Sequence, residues 1–400
     1  MTAPGETITG VTDPYYPAQA VVDLAAIRGN VALLVDAAPG AAVMAVVKAD
    51  GYGHGLVPSA RAALAGGATW LGVAQPAEAL ALRAAGVDAR LLTWLTAPDA
   101  PLADLVAAGI DVSVASLPVL DAVVRAAGER GRPARVHLEV ETGLGRNGMS
   151  YDELPWALAR IAAQVREGAL ELEGLWSHLA CADDPAHPSV RAQRDAFDEA
   201  VRLAERAGCP PRLRHLANSA ATLTEPRLHY DLVRPGLAVF GLSPVPAIAS
   251  AAELGLRPAM RLEARLATVK TLPAGHGVSY GHTYTTTERT KVGIVPLGYA
   301  DGVPRHASGG DAGPGGPVRV GEGARARTLR IAGRVCMDQV VVDLGPDALE
   351  QAGDTVVLFG DGHDGGPTAQ DWADAAGTIS YEITTRLGSR VPRRYLGEDA

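Results

Sequence analysis

Eight short apolar runs, each followed by a helical stretch, fill about 240 residues between residues 14 and 257 of this 400-residue chain. The runs predicted to be strands are 43–49, 70–74, 89–95, 111–116, 135–141, 172–178, 213–219 and 232–241. Strands that alternate with helices form parallel sheets, and eight such units match a (β/α)8 barrel better than an open doubly wound sheet. No G-x-G-x-x-G follows the first strand, so the pattern of a dinucleotide-binding fold is missing.

The texture of the sequence changes after Pro258. Short runs separated by Gly, Pro and Asp follow, and several alternate polar with apolar residues, which is typical of antiparallel strands. These runs are 260–271, 291–297, 317–320, 325–336, 339–344 and 355–360. The fold class expected is therefore α/β plus β. A TIM-type barrel covers 14–257 and an antiparallel β domain covers 258–394, with room for residues 1–13 to pack on the second domain.

Composition excludes several classes of partner. The formal net charge is −9, which disfavours nucleic acid and anionic membrane surfaces. No apolar run approaches the roughly 20 residues that span a bilayer, and the N-terminal residues lack the basic and apolar regions of a signal peptide. The three cysteines are far apart in sequence, which fits a reducing cytoplasm and argues against disulfides or a structural metal site.

A lysine stands at the end of the first predicted strand, in the sequence AVVKADGYGHG. Burial at a strand end lowers the pKa of an amine and frees its lone pair, as a Schiff-base enzyme requires. Lys48 is therefore a candidate nucleophile, although a lone strand-end lysine is more often solvated.

The predicted strand 135–141 carries polar residues where a barrel lumen is expected to be apolar. His137, Glu139 and Glu141 share one face, and burying them costs free energy unless they are paired. The loop TGLGRNG follows at the C-terminal end, where barrel active sites lie. Two interpretations stay open: the strand serves a site, or Glu139 and Arg146 form a structural salt bridge.

Later strand ends repeat the polar theme. The sixth ends at His178, the seventh in HLANS (His215 to Ser219, with Asn218) and the eighth in RPGLAVFG from Arg234. A serine hydroxyl and backbone N–H groups at glycine-containing turns after strands seven and eight are where barrels hold phosphate. A phosphate cup together with a lysine suggests pyridoxal 5′-phosphate (PLP).

The chain resembles the alanine racemase family over residues 20 to 395. The motifs that carry the resemblance are AVVKADGYGHG, ETGLGRNG, HLANS, VRPGLAVFG, VSYG, GYADG, CMDQ and SYEITTRLGSRVPRRY. The resemblance implies an N-terminal barrel, a C-terminal β domain and PLP-dependent interconversion of L- and D-alanine, which supplies D-alanine for peptidoglycan. It also implies a cytoplasmic homodimer whose active sites are shared between subunits.

The resemblance assigns roles to individual residues. Lys48 would hold the cofactor as a Schiff base and act as one base, and Tyr280 of the other subunit would be the opposing base. Arg234 would face the pyridine nitrogen, and Arg146 would lie by the cofactor's phenolic oxygen and the substrate. The remaining cofactor-binding residues would be Tyr52, His178, Asn218, Ser219, Gly236, Leu237 and Tyr381. Tyr299, Met337 and Asp338 would line the substrate entrance and carboxylate site.

One position departs from the family pattern. Many members have a carbamylated lysine, an anion that pairs with an arginine, where this chain has Glu139. The glutamate side chain is roughly 3–4 Å shorter. We expect Glu139 to replace the carbamate electrostatically, through a water or a shifted Arg146, and activity to be insensitive to removal of carbon dioxide.

Three alternatives remain at this stage. The first is a broad-specificity amino-acid racemase of the same fold, because substrate choice depends on the pocket around Tyr299 and Met337. The second is a PLP-dependent decarboxylase, which Arg234 disfavours because such enzymes place a carboxylate at the ring nitrogen. The third is a non-catalytic PLP-binding regulatory protein, which the complete second domain disfavours.

Overall fold

The computed structural model describes residues 15–321 and 323–397. They form two compact units: one runs from Ala25 to Arg257, and the other combines the described residues before Ala25 with those from Pro258 onward. Residues 1–13, whose packing the sequence leaves open, lie outside the described residues. Among the described residues, no helix combines the length and the hydropathy that crossing a bilayer requires.

The first strand, β1 (Ala18–Asp23), belongs to the second unit although the sequence predicts a barrel that starts at residue 14. It pairs antiparallel with Met260–Arg265 and parallel with Arg393–Leu396. All of its residues except Asp23 are buried, so the strand needs a neighbour on each edge and finds both in that unit.

The first unit is the predicted barrel of eight parallel strands. They are β2 (Ala42–Val46), β3 (Trp70–Val73), β4 (Arg90–Thr93), β5 (Asp111–Val114), β6 (Ala134–Glu139), β7 (Leu170–Trp176), β8 (Leu213–His215) and β9 (Leu232–Val233). Each strand pairs with the next from β2 to β8, and β9 pairs with β2. The backbone N–H groups of Asp231 and Arg234 donate to the carbonyls of Arg214 and Ala217, which joins the β9 side to the β8 side.

Helices alternate with the barrel strands. They are Leu24–Ala37, Leu56–Ala65, Pro76–Ala84, Leu102–Ala107, Leu117–Arg130, Leu154–Arg166, Pro188–Arg206 and Ser219–Thr224. Large side chains fill the barrel interior, where Met44, Trp70, Leu92 and Leu232 form one buried cluster. Gly72 is required beside them, because a Cβ there would meet the ring of Trp94 at 2.8 Å. The interior is thus a packed core, and the residues available to a ligand lie at the ends of the strands.

The second unit is built mainly of antiparallel strands. They are β10 (Met260–Arg265), β11 (Thr268–Leu272), β12 (Gly277–Val278), β13 (Tyr284–Thr285), β14 (Thr290–Val295), β15 (Gly309–Gly310), β16 (Gly313–Pro314), β17 (Pro317–Val320), β18 (Arg327–Arg330), β19 (Val340–Gly345), β20 (Thr355–Phe359) and β21 (Arg393–Leu396). One six-stranded sheet has the order β18-β17-β20-β10-β1-β21, and a three-stranded sheet has the order β11-β14-β19. The run 260–271, expected as one strand, is therefore split between two sheets. Two helices, Ala369–Ala376 and Ser380–Thr385, complete the unit.

Candidate active site

Lys48 begins a left-handed turn immediately after β2. The φ angles of Ala49, Asp50, Gly51 and Tyr52 are 53°, 54°, 61° and 53°. Only glycine adopts this region without cost, and each other residue there costs about 1–3 kcal/mol. Such strain persists only where surrounding contacts impose it, so the turn is held in place by its neighbours.

Glu78 supplies one of those contacts. One carboxylate oxygen accepts a 2.6 Å hydrogen bond from the N–H of Ala49, and the other accepts from Ala74 and Gln75, each at 3.0 Å. A single acidic side chain from the helix Pro76–Ala84 therefore joins the Lys48 turn to the end of β3. Its negative charge also lies close enough to act on Lys48.

The Lys48 amine lies in an environment that favours its neutral form. Burial lowers its pKa most, and the charge of Arg146 lowers it further. The negative charge of Glu78 raises the pKa, and the charge of Arg234 lowers it by the smallest amount. The Nζ atom is 5.8 Å from the centre of the Trp94 ring. Lys48 is thus a better nucleophile near neutral pH than a solvated lysine.

The loop after β6, which carries Arg146, is held by the side chain of Glu141. The sequence predicts that Glu141 faces the lumen, but its carboxylate accepts N–H bonds from Gly143, from Gly145 at 2.9 Å and from Arg146 at 3.3 Å. Glu141 thus caps the loop, because β6 has already ended at Glu139. The Arg146 guanidinium makes no ion pair with a carboxylate of the described residues, so its charge is available to an anion.

Glu139 is buried at the end of β6 and does not form a salt bridge with Arg146. Its Oε2 instead accepts a 2.6 Å hydrogen bond from the Asn147 amide. Burial raises the pKa of Glu139 to about 7, against the opposing charges of Arg234 and Arg146 and the bond from Asn147. Its carboxyl group is therefore only partly ionised near neutral pH.

Ser219 and the turn after β9 form a cradle for an anion. The Ser219 hydroxyl oxygen accepts from the N–H groups of Gly236 at 2.8 Å and Ala238 at 3.3 Å, so its own proton is left to donate elsewhere. The N–H of Leu237 bonds to no described residue. A Cβ on Gly236 would collide with the hydroxyl of Tyr52, so that hydroxyl lies directly against the turn.

Arg234 is buried and held from one side. Nη1 donates to the carbonyl of His215 at 2.8 Å and Nη2 to that of Ser177 at 2.8 Å. All of its hydrogen bonds to described residues use these two nitrogens, so Nε–H is left for a ligand. Burial lowers the pKa of Arg234 to about 9, still above neutral pH. Burial and the charges of Arg234, Arg146 and Lys48 lower the pKa of His178 to about 3 and keep that ring neutral.

Asn218 has a structural role in addition to any contact with a ligand. Its side-chain oxygen accepts from the N–H of Ala221 at 3.1 Å and caps the helix Ser219–Thr224. The cap fixes the position of Ser219, the first residue of that helix. In the barrel unit, the structure thus brings together the predicted residues Lys48, Tyr52, Arg146, His178, Ser219, Arg234, Gly236 and Leu237 at the strand ends.

In the second unit, Tyr280 is presented on a tight turn. Its side chain is 70% exposed, and Ser279 before it has φ 62°. The Ser279 hydroxyl donates to the carbonyl of Arg334 at 2.7 Å and lies 3.3 Å from Cys336 Sγ. This anchoring fixes the direction in which the tyrosine leaves the turn.

The Cys336 loop also positions the other predicted substrate residues. The N–H of Tyr299 donates to the carbonyl of Cys336 at 3.0 Å, and Tyr299 and Met337 are 42% and 53% exposed. Arg390 binds Asp338 at 2.7 Å and Asp301 at 3.1 Å, which ties the Met337 loop to the Tyr299 turn. Tyr381, the second residue of the helix Ser380–Thr385, is half-buried.

Sequence reasoning missed Glu78, Trp94, Asn147 and Arg390, which support the site without standing in a chemical motif. A partial signal existed for Glu78, because glutamate three residues after Gln75 matches a capping box at the helix start. Its second role, on the Lys48 turn, depends on a contact between residues 29 positions apart. Local sequence does not encode such a contact.

The fold and the barrel site define an enzyme class: a (β/α)8 barrel with an activated lysine at one strand end and an anion cradle at two others. The alanine racemase N-terminal domain matches residues 22–244, and the alanine racemase C-terminal domain matches residues 259–395. The chain belongs to the alanine racemase family and is an enzyme. This sets aside the alternative of a non-catalytic binding protein.

Relatives and solved structures agree along nearly the whole chain. The alanine racemase of Beutenbergia cavernae is 60% identical over 382 residues, which cover 96% of this chain and 98% of the relative. That of Streptomyces coelicolor is 55% identical over 394 residues, 96% of this chain and 97% of the relative. The crystal structure of alanine racemase from D-cycloserine-producing Streptomyces lavendulae has a TM-score of 0.92 at 53% identity, covering 96% of this chain and 98% of that one.

Proposed function

We propose that this enzyme interconverts L- and D-alanine with PLP as cofactor, using Lys48 and Tyr280 as its two bases, and supplies D-alanine for peptidoglycan. The observation that carries the proposal is the half-buried Lys48, whose amine has a lowered pKa, at the same barrel end as the Ser219–Gly236–Leu237 cradle. Racemisation removes the α-proton from one face and returns a proton to the other. It therefore needs two bases on opposite sides.

The donor set of the barrel fits PLP. Lys48 offers a nucleophilic amine, the Ser219 hydroxyl and the Leu237 N–H suit a phosphate, and Arg234 keeps its Nε–H for a ring nitrogen. Tyr52 at the Gly236 turn completes the cradle, and Tyr381 of the second unit is proposed as a further phosphate ligand. Bound through its aldehyde to Lys48, the cofactor would supply an electron sink that acidifies the α-proton.

The chain's own residues would then bind the substrate and carry the protons. Arg146, whose guanidinium makes no ion pair with a carboxylate of the described residues, would bind the substrate carboxylate. Tyr299, Met337 and Asp338 would line the path of the substrate. Arg234 would donate a hydrogen bond to the ring nitrogen but, with a pKa of about 9, would give up its proton less readily than an acid. Lys48 Nζ and Tyr280 Oη would hold and return the proton on opposite faces.

Tyr280→Phe tests the two-base proposal. Purified wild-type protein should be yellow and form D-alanine from L-alanine, measured by chiral chromatography. Tyr280→Phe should keep the colour and lose racemisation, because the phenol is removed and the lysine kept. In deuterium oxide it should exchange the α-proton of one enantiomer only.

A matched control is Tyr151→Phe. Tyr151 is also a partly exposed tyrosine, whose hydroxyl donates to the carbonyl of Ala196 at 2.8 Å. It should racemise alanine like the wild type. A Tyr280→Phe protein that still racemises, or a colourless wild type, would contradict the proposal.

A second candidate, broad substrate range, has support from the second unit. Tyr299 and Met337 are both partly exposed, so their surfaces are available to a substrate side chain larger than a methyl group. Comparing kcat/KM for alanine, serine and lysine distinguishes the two: similar values would indicate a broad-specificity racemase.

A further inference from the structure

Four buried side chains are hydrogen-bonded in a row across the barrel lumen. His137 on β6 contacts Asp111 of β5 through Nε2 at 3.3 Å and His215 of β8 through Nδ1 at 2.8 Å. His215 Nδ1 lies 3.2 Å from Nη1 of Arg234. The row thus connects a carboxylate inside the barrel to the guanidinium at the candidate active site.

The hydrogen bonds of the row have one possible direction. A guanidinium only donates, so Nδ1 of His215 accepts and the ring proton of His215 is on Nε2. That proton is donated to Nδ1 of His137, whose own proton must then be on Nε2 and is donated to Asp111. Both imidazoles are therefore neutral, each with its proton on Nε2.

The charges of Arg90 and Arg135 fit the role of Asp111 as the acceptor at the end of the row. Burial raises the pKa of Asp111, but the hydrogen bond from His137 and the charges of Arg90 and Arg135 outweigh it, so the carboxylate stays ionised. Arg90 and Arg135 each bind Asp111 at 2.6 Å. Burial, followed by the charge of Arg234, lowers the pKa of His215 well below its usual value.

The surrounding side chains are shaped to hold the row. The Trp176 ring is parallel to the His215 ring within 2°. The Arg234 guanidinium lies 4.7 Å from the centre of the Trp176 ring. Gly174 makes room for His137, because a Cβ there would collide with Nδ1. Trp176 and Gly174 therefore provide the space in which the rings of His137 and His215 lie.

We propose that Asp111, His137 and His215 are positioning residues that hold Arg234 protonated and its Nε–H aimed at the cofactor's ring nitrogen. This inference rests on the proposed function. The row accepts from Nη1 and thereby fixes the guanidinium plane. Breaking it would loosen Arg234, weaken its bond to the ring nitrogen and slow proton removal while leaving substrate binding intact.

The tautomers can be measured without cofactor. In cofactor-free protein labelled with ¹⁵N-histidine, His137 and His215 should both give the spectrum of a ring that carries its proton on Nε2 and accepts a hydrogen bond on Nδ1. An Nδ1–H tautomer or a charged ring at His215 would overturn the proposal. This readout is independent of racemase activity.

Variants test the positioning role in the holoenzyme. Asp111→Leu removes the acceptor at one end of the row, and the methyl group of Gly174→Ala displaces His137. Neither change alters Arg234 itself. Each should lower kcat by about tenfold or more with KM nearly unchanged, as loss of an orienting partner does elsewhere. The ¹⁵N signal of the labelled ring nitrogen in bound PLP should shift in both.

The control is His229→Gln, because His229 is a buried histidine outside the row whose Nε2 bonds the carbonyl of Thr222 at 2.9 Å. It should leave the ring-nitrogen signal unchanged. If the row variants lower kcat without moving that signal, their role is only structural and the inference fails. If the wild type neither binds PLP nor forms D-alanine, the proposed function fails instead.

Discussion

At the scale of single residues, the carboxyl group of Glu139 links protonation to stability. Its pKa rises from 4.5 to about 7 on folding, so the folded chain holds the proton more tightly than the unfolded chain. The resulting stabilisation is complete below pH 4.5 and is lost as the pH rises through 7. It amounts to about 3 kcal/mol.

Glu139→Gln should remove this pH dependence. The amide is neutral at every pH and can still accept from Asn147. Relative to the wild type, the variant should gain about 2–3 kcal/mol of unfolding free energy between pH 5 and pH 8. Urea unfolding of cofactor-free protein at both values measures it, with Glu129→Gln on the exposed surface as control. An equal difference at both pH values would show that Glu139 is fully ionised in the folded protein.

The charge of Arg146 should make the Lys48 amine more reactive. It lowers the pKa of that amine, so Arg146→Gln should raise the pKa and slow PLP incorporation at neutral pH. Absorbance of the yellow product in stopped flow measures the rate. Arg191→Gln, at an 83% exposed side chain, is the control. The deficit should vanish at high pH, whereas a deficit at all pH values would indicate a lost contact with the cofactor.

At the scale of elements, the Gly236 turn and the left-handed Lys48–Tyr52 turn fit together through the Tyr52 hydroxyl. Gly236 has a negative φ of −118°, but the methyl group of Gly236→Ala needs the space of that hydroxyl. Overpacking of about 1–3 kcal/mol should shift Tyr52 and weaken PLP binding by about tenfold or more. Fluorescence titration of cofactor-free protein measures the affinity.

The double variant Gly236→Ala/Tyr52→Phe distinguishes the steric clash with the Tyr52 hydroxyl from the contribution of that hydroxyl to PLP binding. Removing the hydroxyl should restore the unfolding midpoint lost in Gly236→Ala but not the affinity for PLP. Gly128→Ala, where a Cβ meets nothing within 4 Å, should leave affinity unchanged. Recovery of affinity in the double variant would show that the tyrosine hydroxyl does not bind the phosphate.

Sequence periodicity predicts the strands and helices of the barrel well, but it predicts the contacts between their side chains poorly. The barrel strands were identifiable because buried parallel strands appear as short apolar runs between helices. The lumen position of His137 was also predictable from alternation along β6. Its partner His215 was not, because 78 residues separate the two and only the closed barrel brings them together. The same limit explains why Glu141 was expected in the lumen although it caps a loop.

At the scale of the whole molecule, Lys48 and Tyr280 belong to different compact units. The strand β1 likewise joins the second unit, although it precedes the barrel in sequence. Its apolar residues give no sign of which sheet completes it, so the domain boundary could not be predicted from β1 alone. A reaction that needs both Lys48 and Tyr280 therefore depends on how the units of two chains assemble, if each site takes Tyr280 from the other subunit.

Mixing two inactive variants tests whether the active site is shared. Lys48→Ala and Tyr280→Phe should each be inactive alone. In a symmetric head-to-tail dimer with shared sites, a mixed dimer contains one site with both defects and one intact site. Half of randomly reassorted dimers are mixed, so the mixture should regain about a quarter of wild-type racemase activity. Activity after subunit exchange, with sizes checked by light scattering, measures this. If Lys48 and Tyr280 of each site come from the same chain, no activity should return.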